Sequence, residues 1–116
     1  MKARARLTGQ ALEEYNQLEE AVREEKAKGA TSSENMTLLR SINEKIERLK
    51  ENPLVGEVVK KKDIPKELDV DNLFKLRLAR FWRMLYTITR NEIEIICFIL
   101  VIESHDEYDK LFKRKK

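Results

Sequence analysis

Polar and apolar side chains alternate over residues 2 to 7, KARARL, the two-residue period of a half-buried strand. Thr8 and Gly9 then supply a helix start. From about 10 to 28 the period lengthens: Leu12, Tyr15, Leu18 and Val22 make one apolar stripe opposed by Glu and Lys, and Gly29 ends it. TSSE at 31 to 34 has the spacing of a capping box, Thr31 with Glu34, and predicts a second helix with Leu39, Ile42, Ile46 and Leu49 on one face. Asn52-Pro53 stops that helix, so the two form a helical hairpin.

After Gly56 the period returns to two. EVVK, LFKLRL, WRMLYTIT and IEIICFILVI read as strands, with a loop around Ile64-Pro65 and a tight turn at Asn91-Glu92, which predicts an antiparallel meander. The last run is apolar on both faces, which puts it centrally in the sheet with packing on each side. A short amphipathic helix over about 105 to 113 follows, and the KRKK end is expected to fray. The predicted fold class is therefore α+β: an N-terminal strand, a helical hairpin packed on a four- to five-stranded, mainly antiparallel sheet, and a short C-terminal helix.

A chain of 116 residues suits a single domain, 1–116, with one modest core. Its net charge of +3, from 24 Lys+Arg against 21 Asp+Glu, discriminates little between partners. Distribution is more informative. Residues 1 to 52 hold 10 basic and 10 acidic side chains, whereas residues 53 to 90 hold 9 and 5. The lone Cys97, inside an apolar run, reads as a small buried hydrophobe and fits a reducing cytosol. MKARARLTGQ has no apolar core of a signal peptide, and no stretch approaches the roughly 20 apolar residues of a membrane span. A cytoplasmic protein without a membrane partner is expected.

Strand alternation separates core from charge. In LFKLRL, Phe74, Leu76 and Leu78 share one face while Leu73, Lys75 and Arg77 share the other. In WRMLYTIT, Trp82, Met84, Tyr86 and Ile88 oppose Arg83, Leu85, Thr87 and Thr89, and a register that aligns the polar faces brings Arg83 to Lys75 and Arg77. One such cation is ordinary on a wet sheet face. Several together can hold a phosphodiester backbone, through charge and the two-pronged grip of guanidinium on phosphate. Arg80 between the two strands and the run Lys60, Lys61, Lys62 extend the basic set. Trp82, Tyr86 and Phe98 read as core. No Cys/His cluster, glycine-rich phosphate loop or Ser-His-Asp arrangement is apparent, so no metal or cofactor is expected.

NPLVGE, then LFKLRLARFWRMLYTI, then an apolar strand closed by SHDEYDKLF, resembles the RelE/ParE superfamily of toxin-antitoxin toxins, and KARARLTGQALEEYNQL is similar to that family's first strand and helix. HDEYDK looks most like the tails of the RelE and HigB branches and their archaeal relatives. The resemblance implies a RelE-like fold and a ribosome-dependent endonuclease that cuts mRNA in the decoding site and is held inactive by a cognate antitoxin. Partners on that reading are the antitoxin, the ribosome and mRNA, and a homo-oligomer is compatible with it. The alternative within the superfamily is a noncatalytic binder, a ParE-like gyrase inhibitor or an inactive relative.

By position, Arg83 matches the family arginine placed for the scissile phosphate, Lys75 and Arg77 match the basic residues of the preceding strand, and His105 and Tyr108 match the C-terminal pattern. Several relatives carry an arginine near this last point, where this chain has Asp106 and Glu107. RNA cleavage without metal requires the 2′-hydroxyl deprotonated, the leaving oxygen protonated and the charge on phosphorus stabilised. His105, the one histidine, is the leading acid or base. Arg83 and Arg77 stabilise charge and Tyr108 donates a hydrogen bond or stacks on a base, completing the catalytic set. Lys60, Lys61, Lys62, Lys75 and Arg80 form the RNA-binding set. SHDE also makes sense as a helix cap, Ser104 with Glu107, and Tyr108 and Phe112 as a packing pair four residues apart.

Overall fold

The computed structural model describes residues 2–113; the expected fraying of KRKK falls on residues 114–116, outside the described residues. The chain runs as strand β1 (Lys2–Leu7), helices α1 (Gly9–Ala27) and α2 (Glu34–Glu51), strands β2 (Glu57–Val58), β3 (Phe74–Arg77), β4 (Arg83–Arg90) and β5 (Glu94–Glu103), and helix α3 (His105–Lys113). Five strands form one sheet in the order β1-β5-β4-β3-β2. β1 lies parallel to β5 and the other pairs are antiparallel, so the α+β arrangement expected from the sequence is present with one parallel edge. Because β1 and β5 are parallel, the chain between them must cross over the sheet, and the helical hairpin makes that crossing.

α1 and α2 cover one sheet face. Ala11, Leu18, Leu38, Ile42 and Leu49 pack there on Phe74, Leu76, Met84, Tyr86, Cys97, Ile99 and Ile102. Burial pushes the Cys97 thiol up to about 11, so it remains protonated at neutral pH. On α1 the buried stripe is Ala11, Leu18 and Val22, and Leu12 faces outward, with Ala11 of the same turn buried instead. The cap of α2 is Ser33 and not Thr31: Ser33 Oγ accepts from Met36 N at 3.0 Å and donates to Glu25 Oε1 at 2.5 Å, which ties the start of α2 to the end of α1.

A second, smaller core occupies the opposite face. Val59, Ile64, Leu73, Leu85 and Val101 pack there with Leu111 of α3. The face expected to lie open is thus covered over its middle by the 59–70 segment and α3. β2 is shorter than EVVK suggests: Val59 turns inward, and Lys61–Asp63 forms a 3-10 turn. Phe98 is half-buried on this second face and belongs to neither core, because its register neighbours are Arg6 and Thr87 and α3 packs at the Val101 end.

Two devices hold the frame. The Tyr86 hydroxyl donates to Pro53 O at 2.7 Å and accepts from Gly56 N at 2.9 Å, fastening the segment after α2 to the central sheet. A side chain at Gly56 would meet that hydroxyl, since its Cβ would lie 2.7 Å from Oη. The other is a bulge in β5: Leu85 pairs with Val101 and Tyr86 with Ile99, so Leu100 has no opposite residue. Beyond it the alternation is reversed, which sends Ile102 to the helical core and Val101 and Glu103 to the other face. Gln10 reads the bulged backbone, accepting from Ile102 N and donating to Ile102 O, both at 2.9 Å. Among the described residues, no helix is long and apolar enough to cross a membrane.

Candidate functional site

β3 and β4 are joined by a tight connection in which Arg80 and Phe81 both take φ near +63°. That connection sets a register in which Arg77 faces Arg83 and Lys75 faces Leu85. Like charges placed directly opposite each other disfavour a sheet, but Arg83 has Glu103 of β5 opposite it on its other side. α3 begins immediately after β5 and returns over the same face, carrying His105 and Tyr108 to these cations.

Lys75, Arg77, Arg83, His105 and Tyr108 line one depression of about 250 Å³, together with Glu57. The Arg83 guanidinium lies over the Tyr108 ring, 5.9 Å from its centre, and donates to Trp82 O at 3.1 Å. Lys75 Nζ lies 3.5 Å from Glu57 Oε2. His105 Nε2 is 3.2 Å from Asp109 Oδ2, one helical turn on, with both side chains about half exposed. The Tyr108 hydroxyl makes no hydrogen bond among the described residues and remains available to a ligand. Chemically the depression offers two guanidiniums and an ammonium for an anion, and an imidazole and a phenol for proton transfer.

The chain matches no family model, no curated protein and no solved structure.

Of the residues singled out in the sequence, the structure brings together all four of the catalytic set, His105, Arg83, Arg77 and Tyr108, with Lys75 from the binding set. Lys60 and Lys62 line an adjoining groove of about 560 Å³ that shares Lys75 and Tyr108 with the first. Lys61, exposed beside them, lines neither. Arg80 also lines neither; its guanidinium is 2.6 Å from Glu34 at the start of α2.

Three acidic residues at the site escaped the sequence reading. Asp109 was accessible from spacing, being four residues after His105 on a helix. Glu57 pairs with Lys75 across β2 and β3, a register that a two-residue strand does not advertise. Glu103 faces Arg83 in register because the bulge at Leu100 turns it to this side. Among the described residues, no group of three or more His, Cys, Asp or Glu is arranged to hold a metal ion.

Proposed function

We propose that this chain is an mRNA interferase of the RelE type, a cytoplasmic, ribosome-dependent endoribonuclease that forms the toxin half of a type II toxin-antitoxin pair. The observation that carries the reading is the convergence of Lys75, Arg77, Arg83, His105 and Tyr108, from two strands and a helix, on one depression. The order of strand, helical hairpin, antiparallel strands and short helix supports the RelE/ParE resemblance.

In the proposed reaction the 2′-hydroxyl gives its proton to a base and attacks the adjacent phosphorus. The bond to the 5′-oxygen breaks, that oxygen takes a proton, and a 2′,3′-cyclic phosphate remains. His105 and Tyr108 are the groups for the two proton transfers; Arg77, Arg83 and Lys75 offset the extra negative charge as the phosphorane forms. A cognate antitoxin and the mRNA-bearing ribosome are the partners, and a homo-oligomer is compatible with the arrangement.

The test is incubation of the purified chain with programmed ribosomes and mapping of mRNA ends by primer extension. Cleavage in the decoding site, weakened by both Arg83→Ala and His105→Ala, is the expected result. Intact mRNA under conditions where a known RelE relative cuts would sink the nuclease. One observation favours a second, noncatalytic reading, a ParE-like inhibitor or an inactive relative: Glu57 pairs with Lys75 within the depression and offsets a cation that phosphate would use. On that reading toxicity survives His105→Ala.

A further inference from the structure

The groove beside the candidate site has a composition that phosphate binding does not require. It lies between the β2 end with its following turn and α3, and Lys75 and Tyr108 form the border with the first depression. Lys60, Lys62 and Lys75 line it, yet so do Val58 and Phe112. Val58 is 70% exposed, an apolar side chain on an edge strand. Phe112 is half-buried, its ring centre 4.6 Å from that of Tyr108 and tilted by 36°. Among the described residues, neither Lys60 nor Lys62 has an ion-pair partner.

An apolar shelf flanked by the Lys60 and Lys62 ammonium groups complements a flat ring attached to an anionic backbone. A peptide carrying only acidic side chains would match the lysines but leave the shelf unused, and a purely apolar helix would bury the lysines without counter-charge. We propose that this groove is a nucleobase subsite: it takes the base of a nucleotide next to the scissile phosphate, laid against Val58 and Phe112, with Lys60 and Lys62 on its flanking phosphate. Asp63 in the same wall is an acceptor for a donor on the base edge. Tyr108 is less suited to that stacking role, since Arg83 lies over its ring and Phe112 leans on it. The subsite deepens the RNA reading and rests on it. It gives the protein a footprint of more than one nucleotide, with backbone charge read in one depression and a base in the next.

Equilibrium binding separates the two ideas without any cleavage. Fluorescence anisotropy is measured with a labelled six-residue oligoadenylate and with a ribose-phosphate hexamer lacking bases. The wild type is expected to bind the base-containing oligomer about tenfold more tightly, the scale of one base stacked on an aromatic or apolar surface. Val58→Ser and Phe112→Leu should bring the two affinities together, Val58→Tyr should widen the gap, and Lys60→Ala should weaken both alike. Val58 is exposed, so its substitutions leave the fold intact even where Phe112→Leu loosens α3. A base preference unchanged by Val58→Ser and Val58→Tyr would overturn the subsite while leaving RNA binding in place. Failure of the wild type to bind either oligomer would overturn the subsite, while the nuclease reading is decided separately on programmed ribosomes.

Discussion

The Arg83 guanidinium sits over the Tyr108 ring at 5.9 Å and thereby connects the β3–β4 hairpin to the C-terminal helix. A contact of this kind contributes about 0.5–2 kcal/mol, and more when water is excluded. Its larger consequence is positional, because it sets the guanidinium beside His105 and Lys75 within one depression.

For Arg83 the expected pattern is a large loss of activity with a small loss of stability. Arg83→Ala should reduce ribosome-dependent cleavage by about 10²–10³, the usual scale for removing one preorganised donor from a developing anion. Unfolding free energy should fall by only about 1 kcal/mol. Arg83→Lys keeps the charge but not the planar two-pronged grip, and should recover only a minor part of the activity. Primer extension and thermal denaturation on the same preparations read the two effects separately. Equal losses in both would reassign Arg83 to packing.

Tyr86 carries a pH dependence whose sign follows from its burial. Its phenol is pushed from an ordinary value near 10 up to about 12, chiefly by burial, while the Gly56 N–H acts in the opposite direction. A folded value above the unfolded one means that the contribution of the protonated phenol is whole below about pH 10 and is lost as the pH rises through about 12. Tyr86→Phe keeps the ring stacked on Phe74 but strands Pro53 O and Gly56 N, at a cost of about 1–3 kcal/mol near neutrality. Chemical denaturation from pH 7 to 12 should show the gap between wild type and Tyr86→Phe narrowing above pH 10. A constant gap would mean that the phenol does not titrate differently in the two states.

The bulge at Leu100 makes a third prediction and also marks the boundary of what the sequence discloses. Strict alternation from Cys97 and Ile99 would put Val101 and Glu103 under the helices; the inserted residue reverses that, and Gln10, over ninety positions away, clamps the result. Gln10→Ala removes both partners of Ile102 and should cost about 1–3 kcal/mol, with lost hydrogen-exchange protection centred on Ile102. Protection unchanged at that amide would show the bulge to be held by strand pairing alone. By contrast, Phe74, Leu76, Met84 and Tyr86 against Lys75, Arg77 and Arg83 could be sorted in advance, because those strands keep an unbroken two-residue period. Long-range choices were not so encoded. Ser33 donates to Glu25 of the preceding helix, and Arg80 pairs with Glu34 at the start of α2 and does not line the site. Neither fact has a local signature.

Asp109 is expected to act on His105 as a positioning residue. Its carboxylate is 3.2 Å from Nε2, one turn along α3, and an exposed pair of this sort adds less than about 1 kcal/mol to folding. A role limited to packing therefore predicts almost no effect of Asp109→Asn on anything. If the carboxylate holds the imidazole in the orientation that proton transfer needs, Asp109→Asn should lower kcat about tenfold with KM unchanged, against roughly 10²–10⁴ for His105→Ala. Asp109→Glu, which keeps the charge on a longer arm, should recover part of the loss. Multiple-turnover cleavage on programmed ribosomes gives the two constants, and a thermal melt confirms that the fold is kept. A change in KM alone would place Asp109 in RNA binding, and no change in either constant would leave His105 to be oriented by the helix itself.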